Sequence, residues 1–173
     1  MIGPEAGARR PIECGDLDIR IARDGNWHYR GSPIGRLPLV KLFASVLHRE
    51  ADGAYWLVTP AERGRILVDD APFLAVELTV AGKGCEQQLI FRTNLDDIVT
   101  AGTDHPLRVE AAPSGEPQPY ILVRDGLEAR LSRPVFYELA ALALDTSVAG
   151  KTQLGVWSNG VFFRLGHPAS DCV

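Results

Sequence analysis

The sequence predicts a small α+β protein with a degenerate internal duplication, and three observations support this fold class. Asp-Gly and Asn-Gly turn signals recur along the chain, alternating apolar runs fill its middle, and two stretches have the apolar spacing of amphipathic helices. The 173 residues are 46% hydrophobic and 23% charged, which is sufficient for one domain or two small lobes.

Composition argues against several classes of function. A net charge of -4 and a pI of about 5.5 disfavour a sequence-independent nucleic-acid binder, which needs a positive surface. No apolar stretch is long and uncharged enough for a transmembrane helix, and residues 1–14 indicate a flexible leader without the apolar core of a signal peptide. The expected location is the cytoplasm, with no membrane insertion.

The cysteines and histidines are scattered along the chain. Cys14, Cys85 and Cys172 form no Cys-x-x-Cys pair, so the sequence favours a reducing compartment over a disulfide framework. The four histidines have no spacing typical of a structural zinc site, and no metal site is predicted.

The first elements are a hairpin and a helix. Residues 18–30 predict a hairpin that turns at Asp24-Gly25. Amphipathic spacing then predicts a helix with Pro38 in its first turn that ends before Gly53, followed by a strand at residues 55–59. The hairpin register puts four large residues on one face: Ile21 opposite Trp27 and Ile19 opposite Tyr29.

The middle of the chain is rich in predicted strands. Asn94 is expected to cap a short helix that contains Asp96 and Asp97 and ends at Gly102. The predicted strands cover residues 65–68, 73–80, 88–92 and 107–111.

The opening pattern then returns. Residues 120–131 predict a second hairpin around Asp125-Gly126, Ser132 precedes a second helix, and a last hairpin turns at residues 158–160. Because residues 21–25 and 122–126 share the motif Arg-Asp-Gly, and each hairpin leads to a helix and a strand, the sequence predicts a duplicated hairpin–helix–strand motif.

Residues 92–97 are the densest polar cluster. In one interpretation this cluster binds a ligand: Arg92 binds an anion and Asn94 binds a base or amide edge. Asp96 and Asp97 then bind sugar hydroxyls or a cation. The alternative is purely structural: a strand end followed by a capped helix, where acids are favoured.

Three further places carry similar alternatives. Arg63 and Arg65 flank a glycine that lets a backbone approach a phosphate, or they lie on a solvated turn. Arg36 precedes a helix start, where it is placed to bind an anion. Alternatively, the Pro and Gly residues before it only separate the strand from the helix. Trp157, beside a turn, offers a stacking surface for a planar ligand or belongs to the core.

Catalytic motifs are missing from the sequence. There is no P-loop, nucleophile elbow, dinucleotide fingerprint or zinc-protease motif, which favours a non-enzymatic protein. The enzymatic alternative is a hydrolase that uses Asp96 or Asp97 with a divalent ion.

Several separated strings resemble a bacterial family known only as domain of unknown function 1285. They are DIRIARDGNWHYRGSPIGR at residues 18–36, YWLVTP at 55–60, RTNLDD at 92–97 and GVWSNGVFF at 155–163. The resemblance runs from Cys14 to Gly166, nearly the whole chain.

The resemblance implies two α+β lobes, here residues 15–70 and 71–167, followed by a tail at 168–173. It implies that the second lobe is a curved antiparallel sheet or partial barrel with a packed helix, superficially like a pleckstrin-homology fold. It also implies a binding cleft between the lobes and a role in signal transduction linked to oxidative stress.

The resulting hypothesis is a non-enzymatic sensor that binds a small anionic or nucleotide-like ligand and signals to a protein partner. The alternative is a protein-interaction module without a small-molecule ligand, and the sequence names no cofactor. The residues expected to bind the ligand are Arg36, Arg63, Arg65, Arg92, Asn94, Asp96, Asp97 and Trp157.

Overall fold

The computed structural model describes residues 9–166, which form two compact units. Unit 1 is Met1–Asp69 and unit 2 is Asp70–Val173. The described part is mostly β, with two α-helices, and the predicted two-lobe architecture fits this division into two units. Neither described helix is both long and apolar enough to cross a membrane.

Unit 1 is one six-stranded sheet with one α-helix. The strands follow the order β3-β2-β1-β6-β5-β4, and the central pair, β1 and β6, is parallel. Its elements are β1 (Ile12–Ile21), β2 (Trp27–Tyr29), β3 (Ser32–Pro33), α1 (Leu37–Ser45), β4 (Leu47–Arg49), β5 (Tyr55–Val58) and β6 (Glu62–Val68).

Helix α1 covers one face of the unit 1 sheet. Phe43 of α1 stacks on Trp27 with ring centroids 6.2 Å apart, and Trp27 lies opposite the fully buried Ile21. These contacts form the core of unit 1, because large apolar side chains gain most from leaving water.

Unit 2 contains a second six-stranded sheet, a three-stranded sheet and one α-helix. The large sheet follows the order β10-β11-β12-β7-β8-β9, and the small sheet β13-β14-β15. Its elements are β7 (Phe73–Ala81), β8 (Gln88–Thr93), β9 (Ile98–Thr100), β10 (Leu107–Ala111), β11 (Pro117–Arg124), β12 (Leu127–Leu131), α2 (Arg133–Ala141), β13 (Leu144–Val148), β14 (Lys151–Ser158) and β15 (Val161–Gly166).

The two large sheets have the same topology. Each consists of two three-stranded meanders, and the first strand of the first meander pairs in parallel with the last strand of the second. By this correspondence β1 matches β7. The hairpin–helix–strand order predicted from Arg-Asp-Gly does occur in both units, but it relates β1 and β2 to β11 and β12, which hold other positions in the sheet.

The first hairpin folds as predicted. Ile21 pairs with Trp27 and Ile19 with Tyr29 around Gly25, whose φ is 85°. Three of these four side chains are buried, whereas Tyr29 is 47% exposed. The predicted shared face is therefore core at one end and solvent at the other.

Two helix predictions need correction. Helix α1 ends at Ser45, well before Gly53, because Leu47–Arg49 form strand β4 against β5. The helix expected after Asn94 does not exist: a turn there leads into β9.

The ends of the chain limit what is described. Strand β1 begins at Ile12, so residues 12–14 of the predicted leader lie in a strand, while residues 1–8 fall outside the described residues. The predicted tail, residues 168–173, also falls outside them, as does Cys172.

Candidate functional site

The face of the unit 1 sheet opposite α1 carries arginines. Side chains alternate along β6, so Arg63, Arg65 and Leu67 project from this face, and Arg20 of β1 lies opposite Leu67. We call these four residues the arginine face. Leu67 is 66% exposed on this face.

A hollow of about 440 Å³ opens on the arginine face. We call it the arginine-face hollow. It is lined by β1, β6 and the turn between β2 and β3: Asp16, Leu17, Asp18, Ile19, Arg20, Arg30, Gly31, Arg65, Ile66 and Leu67.

The hollow forms where β1 departs from regular pairing. Glu13 lies opposite Arg63, Asp16 opposite Arg65 and Arg20 opposite Leu67, so β1 bulges twice within eight residues. Such bulges redirect side chains and are common beside functional sites. Here they bring acidic and basic side chains of both strands to one concave surface.

Gly64 makes room for this bulge. A Cβ at Gly64 would lie 2.5 Å from Cγ of Leu17, the half-buried residue at the centre of the bulge. The glycine of the Glu-Arg-Gly-Arg string therefore serves close packing against a leucine.

We expect Gly64→Ala to destabilise unit 1 by about 1–2 kcal/mol, because Leu17 has to move away from the added methyl group. Urea unfolding followed by tryptophan fluorescence measures this. Gly35→Ala is the matched control, since a Cβ there meets nothing within 4 Å. Equal stability of both variants would show that Leu17 does not occupy this place.

Each arginine of the hollow has a carboxylate partner. Arg20 donates from Nε and Nη2 to Asp69, and Arg65 donates from Nε and Nη2 to Asp16. Hydrogen bonds from these arginines hold the pKa values of Asp16 and Asp69 below their ordinary values. In both arginines Nη1 makes no hydrogen bond to any described residue.

The third arginine of the hollow sits on a tight turn. Arg30 and Gly31 have φ values of 49° and 79°, as in a two-residue hairpin turn of type I′. A non-glycine residue in this conformation costs about 1 kcal/mol. The Nε of Arg30 lies 3.8 Å from Asp18 Oδ2, and its guanidinium stacks on Tyr29.

Arg63 lies on the same face but is used differently. Its guanidinium carbon is 3.9 Å from the ring centroid of Trp56, and Nη2 lies 2.8 Å from Glu50 Oε1. This cation–π contact covers the ring of Trp56, and the residue as a whole is 9% exposed.

Arg36 is placed at the start of α1, on the element that packs against the opposite sheet face. It is the N-cap residue and makes no side-chain capping hydrogen bond. Its carbonyl accepts the N–H groups of Leu39 and Val40, whereas its side chain has no hydrogen-bond or ion-pair partner within the described residues. Of the predicted unit 1 residues, the structure thus places Arg63 and Arg65 on one face and Arg36 on another element.

The predicted cluster of residues 92–97 is a turn between β8 and β9. Arg92 donates from Nε to Glu77 and from Nη1 to Asp96, whose φ is 68°. Asn94 Oδ1 accepts the backbone N–H of Leu74 across a bulge in β7. Arg92 is thus paired with one carboxylate on β7 and one within the turn.

The turn between β8 and β9 is also held together by the side chain of Thr93. The buried Thr93 Oγ1 accepts backbone N–H groups of Leu95 and Asp97, and it donates to Asp97 Oδ2 at 3.4 Å. A buried hydroxyl that serves two amides fixes the turn geometry.

Trp157 lies elsewhere in unit 2, on β14. Its ring contacts Phe162 with centroids 5.3 Å apart, and its carbonyl accepts Gln87 Nε2. The structure therefore does not bring Trp157 together with the turn at residues 92–97 through any described hydrogen bond or ring contact.

A second polar network lies on unit 2 and was not predicted. Tyr120 donates its hydroxyl to Asp70 at 2.6 Å, and burial together with this bond raises the pKa of Tyr120. Arg108 stacks over the Tyr120 ring and donates from Nε and Nη2 to Glu128. No short motif marks these residues, because Arg108, Tyr120 and Glu128 lie on three different strands and Asp70 lies between β6 and β7.

Among residues 9–166, no group of three His, Cys, Asp or Glu side chains is arranged to hold a metal ion. Cys14 and Cys85, within the same range, are free and exposed.

Two family models cover nearly the whole chain. A model described as "Domain of unknown function (DUF1285), N-terminal domain" matches residues 7–71, and "Protein of unknown function (DUF1285), C-terminal domain" matches residues 72–165. The chain belongs to the DUF1285 family. The resemblance predicted from the four sequence strings is thereby confirmed.

Two solved DUF1285 structures are similar to this chain. One, from Silicibacter pomeroyi DSS-3, is 45% identical over 94% of this chain and 89% of that chain, with a TM-score of 0.83. Another, from Shewanella baltica OS155, is 27% identical over 70% of this chain and 89% of that chain, with a TM-score of 0.55. No curated protein matches the chain.

The DUF1285 strings are explained in part by structure. Residues 18–36 contain Arg20 and Arg30, so the string that carries the resemblance also supplies two of the three hollow arginines. Sequence reasoning singled out neither of them, nor Asp16 and Asp18. These residues are brought together by the pairing of β1 with β6 and by the turn between β2 and β3, and neither contact leaves a periodic pattern in the sequence.

Proposed function

We propose that this DUF1285 protein is a non-enzymatic sensor of bacterial signal transduction that binds a small anionic ligand in the arginine-face hollow. The single observation that carries the proposal is that three arginines line one ligand-sized concavity. Two of them, Arg20 and Arg65, keep Nη1 without a hydrogen bond to any described residue. Guanidinium groups recognise carboxylates and phosphates through several directed donors.

The lining also suits a ligand with an apolar part. Leu67 is exposed at the edge of the charged side chains and supplies apolar surface to the hollow. Ligand sites commonly combine apolar surface with a few oriented polar groups. A nucleotide-like molecule has both a phosphate and a flat, weakly polar ring, which fits this combination.

The proposal is tested by calorimetric titration of the full chain with inorganic phosphate and with AMP. We expect saturable binding that weakens as salt is raised, because the partners are exposed charges. We expect the double variant Arg20→Gln/Arg65→Gln to lose binding. The matched control is Arg49→Gln, which removes an arginine of the same unit outside the hollow.

Two results would contradict the proposal. One is an equal loss of affinity in the control variant, which would indicate a general charge effect. The other is the absence of binding by the wild-type chain to either probe. Circular dichroism spectra of all variants check that each has kept its fold.

The residues of unit 2 that the sequence predicts as ligand-binding are also proposed as ligand contacts, and they are tested by their own variants. Arg92→Ala is expected to abolish binding if Arg92, Asn94, Asp96 and Asp97 contact the ligand. Unchanged calorimetric affinity in Arg92→Ala would limit the site to unit 1. The same titration with Trp157→Ala and Arg36→Gln tests the two remaining predicted residues.

A protein-interaction module is the second candidate, favoured by the exposure of Leu67 beside the hollow. Large apolar patches rimmed by polar residues mark protein interfaces, and Leu67 offers one apolar side chain for such a contact. A partner protein that co-purifies stoichiometrically with the wild type and is lost with Leu67→Ser would support this function. Retention of that partner by the double arginine variant would separate it from ligand binding.

We further propose that unit 2 is superficially like a pleckstrin-homology fold. Two largely antiparallel sheets and one helix support this likeness, whereas the parallel pairing of β7 with β12 departs from a purely antiparallel sheet. An experimental structure superposed on pleckstrin-homology domains is the test.

A further inference from the structure

We propose that an anion enters the arginine-face hollow by ion-pair exchange, displacing Asp16 from Arg65 and Asp18 from Arg30 and thereby releasing the bulged part of β1. The inference rests on the proposed function, because it describes the regulation of the same site. The hollow then has two arrangements: one with its ion pairs intact, and one with the anion bound and the bulged part of β1 released.

Charge balance is the first argument. The hollow pairs three guanidinium groups with three carboxylates, those of Asp16, Asp18 and Asp69. The six charges sum to zero, so the hollow offers an anion no surplus of positive charge. An anion therefore binds strongly only by taking the place of a carboxylate.

The second argument is that the three carboxylates are held in place by different parts of the chain. Asp69 is fixed at the end of β6, where its backbone N–H donates to the carbonyl of Ile21. Asp16 and Asp18 instead belong to the bulged part of β1, where the strand pairs irregularly with β6. Asp16 is therefore placed to leave with the bulged part of β1. Asp18 is held through its carbonyl, which accepts the N–H of Arg30 at 2.8 Å, so only its side chain turns away.

Local stability is the third argument. Among residues 13–18 only Leu17 is withdrawn from solvent, and every other side chain of this segment is exposed. Segments with little burial and few backbone ladder bonds open at low free energy. The two ion pairs hold this segment in place together with the contact of Leu17 with Gly64, a longer ion pair between Glu13 and Arg63, and the bond from the Arg30 N–H to the Asp18 carbonyl.

Ligand binding and segment release are then linked. An anion that binds Arg65 and Arg30 better when Asp16 and Asp18 have left shifts the chain toward the released state. A partner protein that recognises the released segment would detect the ligand. The device needs no movement of the rest of unit 1.

The test is calorimetric titration with inorganic phosphate of the wild type, Asp16→Asn and Glu13→Gln at pH 7. We expect Asp16→Asn to bind phosphate roughly two- to fivefold more tightly than the wild type, the range for loss of one exposed ion pair. Glu13→Gln is the matched control, because it removes the same charge from the same strand and Glu13 donates or accepts no hydrogen bond with Arg65. We expect its affinity to change less.

Hydrogen exchange provides the second readout. We expect amide exchange of residues 12–18 to become faster in the wild type when phosphate saturates, and to be fast in Asp16→Asn without phosphate. Weaker phosphate binding by Asp16→Asn, or slower exchange of the segment on binding, would overturn the exchange mechanism while leaving the binding site intact. No phosphate binding by the wild type and Asp16→Asn alike would overturn both the mechanism and the proposed function.

Discussion

Replacing Gly155 by alanine is expected to destabilise unit 2 by about 3 kcal/mol, the largest effect of a single methyl group predicted for this chain. A Cβ at Gly155 would lie 2.2 Å from the carbonyl oxygen of Phe163 and 2.5 Å from the ring of Phe162. The first neighbour is backbone in the paired strand β15, so it cannot rotate away. Relief requires the separation of β14 from β15.

Guanidinium unfolding followed by circular dichroism measures this loss. Gly166→Ala is the matched control, because Gly166 lies in the same small sheet and a Cβ there meets nothing within 4 Å. We expect the control to keep the wild-type midpoint. A Gly155→Ala variant as stable as the control would mean that β14 and β15 are not as closely paired as described.

Ser158→Ala is expected to cost about 2–3 kcal/mol, because it leaves a buried amide without an acceptor. Ser158 is fully buried; its Oγ accepts the N–H of Leu89 at 3.0 Å and donates to the carbonyl of Ala101 at 2.7 Å. This hydroxyl joins the end of β14 to the large sheet. The Trp-Ser-Asn-Gly string therefore has a structural role at this serine.

The same unfolding experiment checks Ser158→Ala, with Ser147→Ala as its control. Ser147 is exposed on β13 of the same sheet, so its loss is expected to change stability by less than about 0.5 kcal/mol. Amide exchange of Leu89 is expected to accelerate in Ser158→Ala more than in the control. Unchanged exchange at Leu89 would show that the serine hydroxyl is not its acceptor.

Local patterns predicted the elements whose contacts are local. The first hairpin was predicted with its register because Asp24-Gly25 fixes the turn, and residues 107–111 were predicted as the strand that the structure contains. Pro38 was correctly placed in the first turn of α1. Each of these signals lies within a few residues of its consequence.

Two misses arose because distant partners overrode local propensity. Asn94 was expected to cap a helix, but its side chain accepts the N–H of Leu74, twenty residues away in sequence. The stretch after Ser45 has helical spacing, yet Leu47 pairs with Leu57 in a sheet. A single sequence does not reveal such pairings, since propensity is a weak prior.

The candidate site was predicted only in part for the same reason. Arg65 was predicted as a ligand-binding residue and lines the hollow. Its partner Asp16 lies 49 residues away and is brought beside it by a parallel, bulged pairing. Arg20 and Asp69 are separated by the same interval. Parallel pairing over such a distance has no signature in composition or periodicity.

The most direct test of the binding claim is the arginine side-chain Nε–Hε nitrogen–proton NMR spectrum, recorded while inorganic phosphate is added. The account predicts saturable shifts for the signals of Arg20, Arg30 and Arg65, with that of Arg108, which is held by Glu128, unchanged. Equal small shifts of all arginine signals, or none at the three hollow arginines, would contradict it.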